Sequence, residues 1–409
     1  MKNNWSTKRL EEVCEVFADG DWIEKKDQST NGIRLIQTGN IGNGYFLDRS
    51  EKARYISEDT FKRLRCAEVL PGDCLLSRLP DPVGRSALIP VTGQKMITAV
   101  DCTIMRFKKD TLPKWFIYYS LSPDYQSEIN KEVTGATRQR ISRSNLGNVK
   151  IPAPSISEQK QLIHILDDVF EKTAKAKENA EKNLQNAQEL FESYLQSAFI
   201  NPGSDWKEEK MVDVCSILTC GVASTPQYVD KTMGIPFLSA QNVRNGEVVL
   251  DKYSYISKEF HEKLTKKNKP RRGDILYSRV GAKFGDAGVV EHDFDFSVYV
   301  SLTLIRPLAE KIDNYFLKYY LNSPFVKSLA KKTISSSGVP NLNVNDVREF
   351  PVKYPSLVKQ KKIVNQIEIL LVETKKLESI YQQKLADLEE LKKSVLQKAF
   401  NGELVGAQS

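Results

Sequence analysis

From Ser157 to Ile200, apolar and small residues recur three and four positions apart, at Leu162, Leu166, Val169, Thr173, Ala176, Ala180, Leu184, Ala187, Phe191, Tyr194 and Ala198, with no proline or glycine between them. That spacing places them on one face, so it predicts a long amphipathic helix with a coiled-coil seam. At about 1.5 Å per residue, the 44 residues make a rod of roughly 65 Å. A lone rod cannot bury its seam. Val358–Asn401 repeats the pattern at Ile363, Ile367, Leu370, Thr374, Leu377, Tyr381, Leu388, Leu391 and Val395, and the two segments close on LQSAF and LQKAF. The matching seams predict antiparallel pairing within the chain; the alternative is that each rod pairs with another chain.

The similarity extends well beyond the rods. Trp5/Trp206, Cys14/Cys215, Gly20/Gly221, Asp73/Asp274, Arg78/Arg279, Gly84/Gly285, Gln159/Gln360 and Phe199/Phe400 all lie 201 positions apart, and the offset elsewhere drifts only to 200 or 202. The chain is a tandem duplication. In each half, short β-like runs alternate with turn signals: Ile33–Gln37, Val69–Ser77, Ala87–Val91 and Thr103–Phe107 are separated by GNIGNG, PGD, DPVG and VTG. Pro113 then opens WFIYYSLSPDYQSEI, whose spacing suits a short core helix.

The expected fold is therefore α+β. A β-rich globular domain plus a long helix occurs twice, and the helices form an antiparallel coiled coil that relates the two domains by a pseudo-two-fold axis. The expected boundaries are 1–156, 157–201, 202–356 and 357–409. Pro152 and Pro154 disfavour helix upstream, Ser155-x-x-Glu158 forms a capping box, and Asn201-Pro202-Gly203 stops the first rod. In the second copy Lys359 stands where the capping glutamate would be.

Charge changes the picture when divided by segment. The two globular segments carry net charges of +5 and +4, the first rod −3 and the C-terminal segment +2. A positive excess on two separate domains suits a polyanion, and nucleic acid is favoured over membrane because no basic amphipathic surface helix is evident. The polar N-terminus and the absence of a long apolar run point to a cytoplasmic, soluble chain. Six cysteines without C-x-x-C spacing and three histidines read as reduced thiols and no zinc site.

Motifs for catalysis are absent: there is no G-x-x-x-x-G-K-[ST], G-x-G-x-x-G, H-E-x-x-H or G-x-S-x-G, and no Asn/Asp-Pro-Pro-aromatic run of an amino-methyltransferase. Asp73 and Asp274 read as turn residues entering strands. KKNKPRR at Lys266–Arg272 reads as a solvated loop, near phosphates at best. What remains are polar loops able to read a surface. Gln37, Thr38 and Asn40 in one copy, and Ser239, Gln241, Asn242 and Arg244 in the other, occupy equivalent turns with different side chains. Asn and Gln can bond adenine bidentately and Arg guanine. Thr137, Arg138, Gln139 and Arg140, opposite Asn341 in the repeat, form a second such loop, and Lys283 lies in the turn after Arg279. Arg78 and Arg279, at one place in both copies, suit a shared phosphate contact.

The order of these parts, with IPAPSISEQKQLI and FPVKYPSLVKQKKIV at the domain-to-helix junctions and LQSAF and LQKAFNGELV at the exits, resembles the specificity subunit of a Type I restriction-modification system over essentially the full chain. The resemblance implies two target-recognition domains that each read half of an asymmetric, bipartite duplex DNA target, with the helices fixing the gap. It further implies no catalysis or cofactor in this chain. Two modification subunits would bind S-adenosylmethionine and methylate adenine, and restriction subunits would use ATP and Mg. The competing readings are a coiled-coil adaptor with protein-binding end domains and a self-sufficient methyltransferase, which the missing motifs oppose.

Overall fold

The computed structural model describes residues 5–405, apart from 136, 138, 225, 282, 283 and 335–340. The chain divides into two compact units, Met1–Glu181 with Gln383–Ser409, and Lys182–Gln382. Each unit therefore holds one globular domain and parts of both long helices.

In the first unit, four strands form the central sheet: β1 (Cys14–Asp19), β2 (Cys74–Ser77), β3 (Ser86–Leu88) and β4 (Cys102–Phe107). They lie in the order β1–β4–β2–β3 and all pair antiparallel, with Leu75 opposite Ile104. Side chains alternate between the sheet faces. Cys74, Leu76, Met105 and Phe107 enter one core with Trp115, Phe116 and Tyr119 of α1 (Pro113–Ser120), while Leu75, Ala87, Cys102 and Ile104 enter another with Ile36, Ile41 and Met96. Because both faces are covered, these strands read as continuous apolar runs. A smaller sheet carries Ile33–Ile36 beside Met96–Thr98 in parallel.

The single core helix expected after Pro113 is two, because Ser122 caps a second helix, Pro123–Glu132, with Pro123 in its first turn. Ser6–Arg9 also pairs with Lys150–Ala153, a strand pair that the sequence pattern did not reveal.

The second unit repeats this frame with β5 (Cys215–Cys220), β6 (Ile275–Ser278), β7 (Ala287–Val289) and β8 (Leu302–Pro307), in the order β5–β8–β6–β7, and with α3 (Asn314–Asn322) as core helix. Here Leu276 lies opposite Leu304.

The long helices are α2 (Ile156–Ile200) and α4 (Leu357–Phe400). They run antiparallel within each unit. In the first, Lys177 Nζ meets Glu389 Oε1 at 2.8 Å and Lys392 lies over the Phe170 ring, while Leu162 and Leu166 share a core with Leu396 and Phe400. In the second, Leu195 and Phe199 share a core with Val364 and Ile367. The coiled coil is thus made within the chain.

One part of the seam differs from expectation: Leu377 and Leu391 are 40% and 45% exposed, whereas Thr374 is buried and Glu378 and Lys392 are half-buried. A 3.5-residue repeat must choose between neighbouring positions on alternate turns, and at these two it takes the later residue.

The helix exits explain the shared closing words. Phe400 packs edge-on against Trp115 and Tyr119 at ring separations of 6.1 and 5.2 Å, and Phe199 does the same against Phe316 and Tyr320, both at 5.4 Å. Burying each ring contributes roughly 1.5–3 kcal/mol. The capping box closes α2 as its sequence implies, with Ser155 N–H donating to Glu158 and Glu158 N–H to Ser155 Oγ. At α4, Lys359 instead pairs with Asp205 at 2.7 Å.

Candidate nucleic-acid interface

Three stretches of the first domain meet beyond the C-terminal end of β2: the turn at 37–48, the turn at 78–86 and the chain at Arg140 and Ile141. Two arginines hold them together. Arg85 donates to the carbonyls of Ile41 (2.7 Å), Leu79 (2.8 Å) and Thr38 (2.9 Å), joining the first two loops. Arg78 donates to Val100 O at 2.5 Å and Ile141 O at 3.4 Å, and its carbonyl accepts Ile141 N–H, joining the third. Asp19 Oδ1 lies 3.4 Å from Arg78 Nε.

The second domain reproduces this clasp. Arg279 donates to Val300 O (2.6 Å) and Leu342 O (2.8 Å), and its carbonyl accepts Leu342 N–H. Position 286, the counterpart of Arg85, is aspartate, which takes Lys327 at 2.7 Å. Gly20 and Gly221 stand where a Cβ would lie 2.3 Å from Thr98 O and 2.0 Å from Val298 O, so only glycine lets the neighbouring segment approach.

This geometry corrects the sequence-based roles of four residues. Arg78 and Arg279 are only 4% and 8% exposed, and their guanidinium groups bond internal carbonyls. They brace the loops and do not reach a phosphate. Asn40 and Asn242 are likewise buried. Asn40 accepts Gln37 N–H and donates to Leu47 O and Asp48 O. Asn242 accepts Ser239 N–H and donates to Val249 O and Lys252 O. In each amide both N–H donors and the oxygen are engaged within the turn, which keeps the side chain inward and takes its donors from a base edge.

The remaining sequence candidates lie nearer solvent. Gln139, Arg140, Gln241 and Asn341 are exposed, and Gln37, Thr38, Ser239 and Arg244 are half-buried. Arg244 pairs with Asp251, both of whose oxygens lie 2.7 Å from Nη2, and this hydrogen bond holds the Asp251 carboxyl below its usual range. Arg138 and Lys283 lie outside the described residues. Two residues that the sequence reading passed over also reach the first-domain tip: Trp22, 71% exposed beside the Asp21–Ala99 bridge, and Tyr45, 57% exposed. Both have a signal in the repeat. Core aromatics such as Tyr119 and Tyr320 are paired between copies, whereas Trp22 and Tyr45 correspond to Ala223 and Glu247.

A shared brace with diverged tips suits recognition of two different surfaces by one frame. The family model for the Type I restriction modification DNA specificity domain matches residues 2–185 and again 203–389. The chain belongs to this family. It is 27% identical over 322 residues to the Type I restriction enzyme EcoBI specificity subunit of Escherichia coli, covering 73% of this chain and 67% of that one. With the EcoKI specificity subunit of Escherichia coli strain K12 it shares 23% identity over 404 residues, 93% and 85% of the two chains. A solved chain from a type I R-M system superposes with a TM-score of 0.79 at 17% identity, covering 98% of this chain and 99% of that one. The HsdS subunit from Thermoanaerobacter tengcongensis gives 0.61 at 17%, covering 98% and 97%. These likenesses establish the duplicated domain-and-helix fold. Among the described residues no helix is long and apolar enough to cross a membrane.

Proposed function

We infer that this chain is the non-catalytic, DNA-reading subunit of a cytoplasmic Type I modification and restriction assembly, each domain reading one half of a bipartite target and the coiled coil setting the gap. The observation that carries this reading is the repeated brace. Arg78 and Arg279, with Asn40 and Asn242, hold equivalent loops rigid in both domains, while the exposed tips differ in chemistry. Rigid support under variable tips is what discrimination between two base sequences requires, since a bidentate base contact depends on fixed geometry.

Methylation then belongs to partner modification subunits that bind S-adenosylmethionine, and cleavage to restriction subunits that use ATP and Mg. Docking of such partners on α4 is supported by Ile369, Val372, Leu377 and Ile380, which are exposed on a helix whose seam is already occupied. Apolar residues left open beside a formed coiled coil suit a further packed helix.

The test is to sequence modified adenines in cells that carry this chain with its modification subunit. Methylation at one asymmetric target in two parts separated by a fixed gap is expected. Methylation by the purified chain alone would contradict the reading and favour a self-sufficient methyltransferase, whereas binding to duplex DNA that does not weaken with salt would favour the adaptor alternative.

A further inference from the structure

The second domain carries a cationic concavity. It has a volume of about 650 Å³ and is lined by Lys266, Lys267, Lys269, Arg271, Arg272 and Arg306 together with Asp293 and Asp295. Part of this charge is neutralised internally. Lys269 pairs with Asp295 at 2.6 Å, Arg272 with Asp293 at 3.5 Å, and Arg306 with both oxygens of Asp274 at 2.7 and 2.8 Å. Lys266, Lys267 and Arg271 are exposed, and their side chains have no carboxylate partner among the described residues. The Asp274–Arg306 pair is common to both copies, since Asp73 holds Arg106 in the same way. The unpaired cations are not. Counting back from Asp73, the equivalent stretch Arg65–Gly72 carries one positive and one negative charge against five positive charges in Lys266–Gly273.

We propose that this concavity grips the phosphate backbone of duplex DNA at the lip of the groove read by the second domain, a sequence-independent clamp most of whose cations have no counterpart in the equivalent stretch Arg65–Gly72 of the first. The proposal rests on the DNA-reading function inferred above. The loop that supplies the cations leads into β6, whose other end carries Arg279 and the recognition loops. Four strand residues span about 13 Å, and a B-DNA major groove is about 8.5 Å deep. A tip seated in the groove therefore leaves the start of β6 a few ångströms outside the phosphates, within reach of a lysine or arginine side chain. The concave shape suits a narrow polyanionic strand more than a flat lipid surface, and the carboxylates of Asp293 and Asp295 are already engaged by Arg272 and Lys269.

The experiment compares the full chain, assembled with its modification subunit, with the K266A/K267A/R271A variant on the selected target duplex over a range of salt. These side chains are exposed, so the variant keeps its fold. The slope of log K against log salt is expected to fall by about 2.7, and affinity near physiological salt to drop roughly 10- to 100-fold, with the recognised sequence unchanged. Methylphosphonates in the second half-site should weaken the wild type and leave the variant nearly insensitive, while the same substitution in the first half-site should weaken both alike. An unchanged slope, a variant as sensitive as wild type at the second half-site, or a loss confined to binding of RNA overturns the clamp. Absence of any salt-dependent duplex binding by the wild-type assembly overturns the DNA-reading function itself.

Discussion

The Oε1 atom of buried Gln159 accepts the backbone N–H of Leu112 at 2.7 Å, and the amide nitrogen of the same side chain donates to Asp110 O and Pro154 O at 2.9 and 3.0 Å. One glutamine thus fastens the first turn of α2 to the loop that precedes α1. Gln360 does the same in the second domain, accepting Asp313 N–H at 2.8 Å and donating to Lys311 O and Pro355 O. A helix that positions a reading domain transmits that position only if the joint is stiff, and three hydrogen bonds from one buried amide leave little freedom.

Replacing Gln159 with leucine should therefore cost about 3 kcal/mol, because three backbone groups lose their partner inside the protein. Chemical denaturation of the first unit's transition would measure the loss, and hydrogen exchange should accelerate at the Leu112 amide. Unchanged exchange there would mean that the joint is held by packing alone.

Arg279→Ala tests the brace. Val300 O and Leu342 O would lose their donor, so a stability loss of about 2 kcal/mol is expected, with faster exchange at the Leu342 amide. Where the protein stays folded, the second half-site sequence should be kept. A variant of wild-type stability with a reduced salt slope would instead make Arg279 a phosphate contact.

Trp22→Ala should weaken binding through the first half-site alone, by about 1–3 kcal/mol, the scale of one mismatched base pair, if the indole packs on base edges or a thymine methyl in the groove. Quenching of Trp22 fluorescence on duplex addition, read in a chain with the other three tryptophans replaced by phenylalanine, is the direct measurement. Equal effects on the two half-sites would contradict separate reading by the two domains.

Gln241→Ala should change the second half-site and leave the first intact, since Gln241 is exposed on a turn held by Asn242. Asn242→Ala should behave differently: it opens the turn and costs about 2 kcal/mol of stability. A selection of bound duplexes from a random library, run beside thermal unfolding, separates the two outcomes.

Seven residues inserted after Glu181 and again after Gln382 keep the heptad phase and lengthen each helix by about 10 Å. Three extra base pairs would match that length but turn the far half-site by roughly 100°, at about 10.5 base pairs per turn. The expected result is a gap longer by about one to three base pairs, with unchanged half-sites and weaker binding because the duplex must twist. Recovery of the original gap at full affinity would show that the helices do not set it.

Much of the architecture is legible along the chain because it rests on local periodicity. The duplication, the two long helices and the apolar strands follow from spacing, and the caps from Ser155 and Glu158. Even the domain-side partners of the helix exits are foreshadowed, since Phe199 and Phe400 recur with the aromatic runs that receive them.

What the tertiary structure decided is which polar residues face inward. Asn40 and Gln37 look equally suited to a base edge in sequence. Yet Asn40 turns in, because the chain brings Leu47 O and Asp48 O back to within 3.0 Å of its amide. Arg78 turns in for the same reason, its acceptors lying 22 and 63 residues away. A buried carbonyl needs a donor, and which donor supplies it depends on non-local return of the chain, which no spacing rule encodes. Leu377 illustrates the complementary case. Its apolar character placed it at the seam, but the phase of a 3.5-residue repeat is fixed only by the helix packed against it.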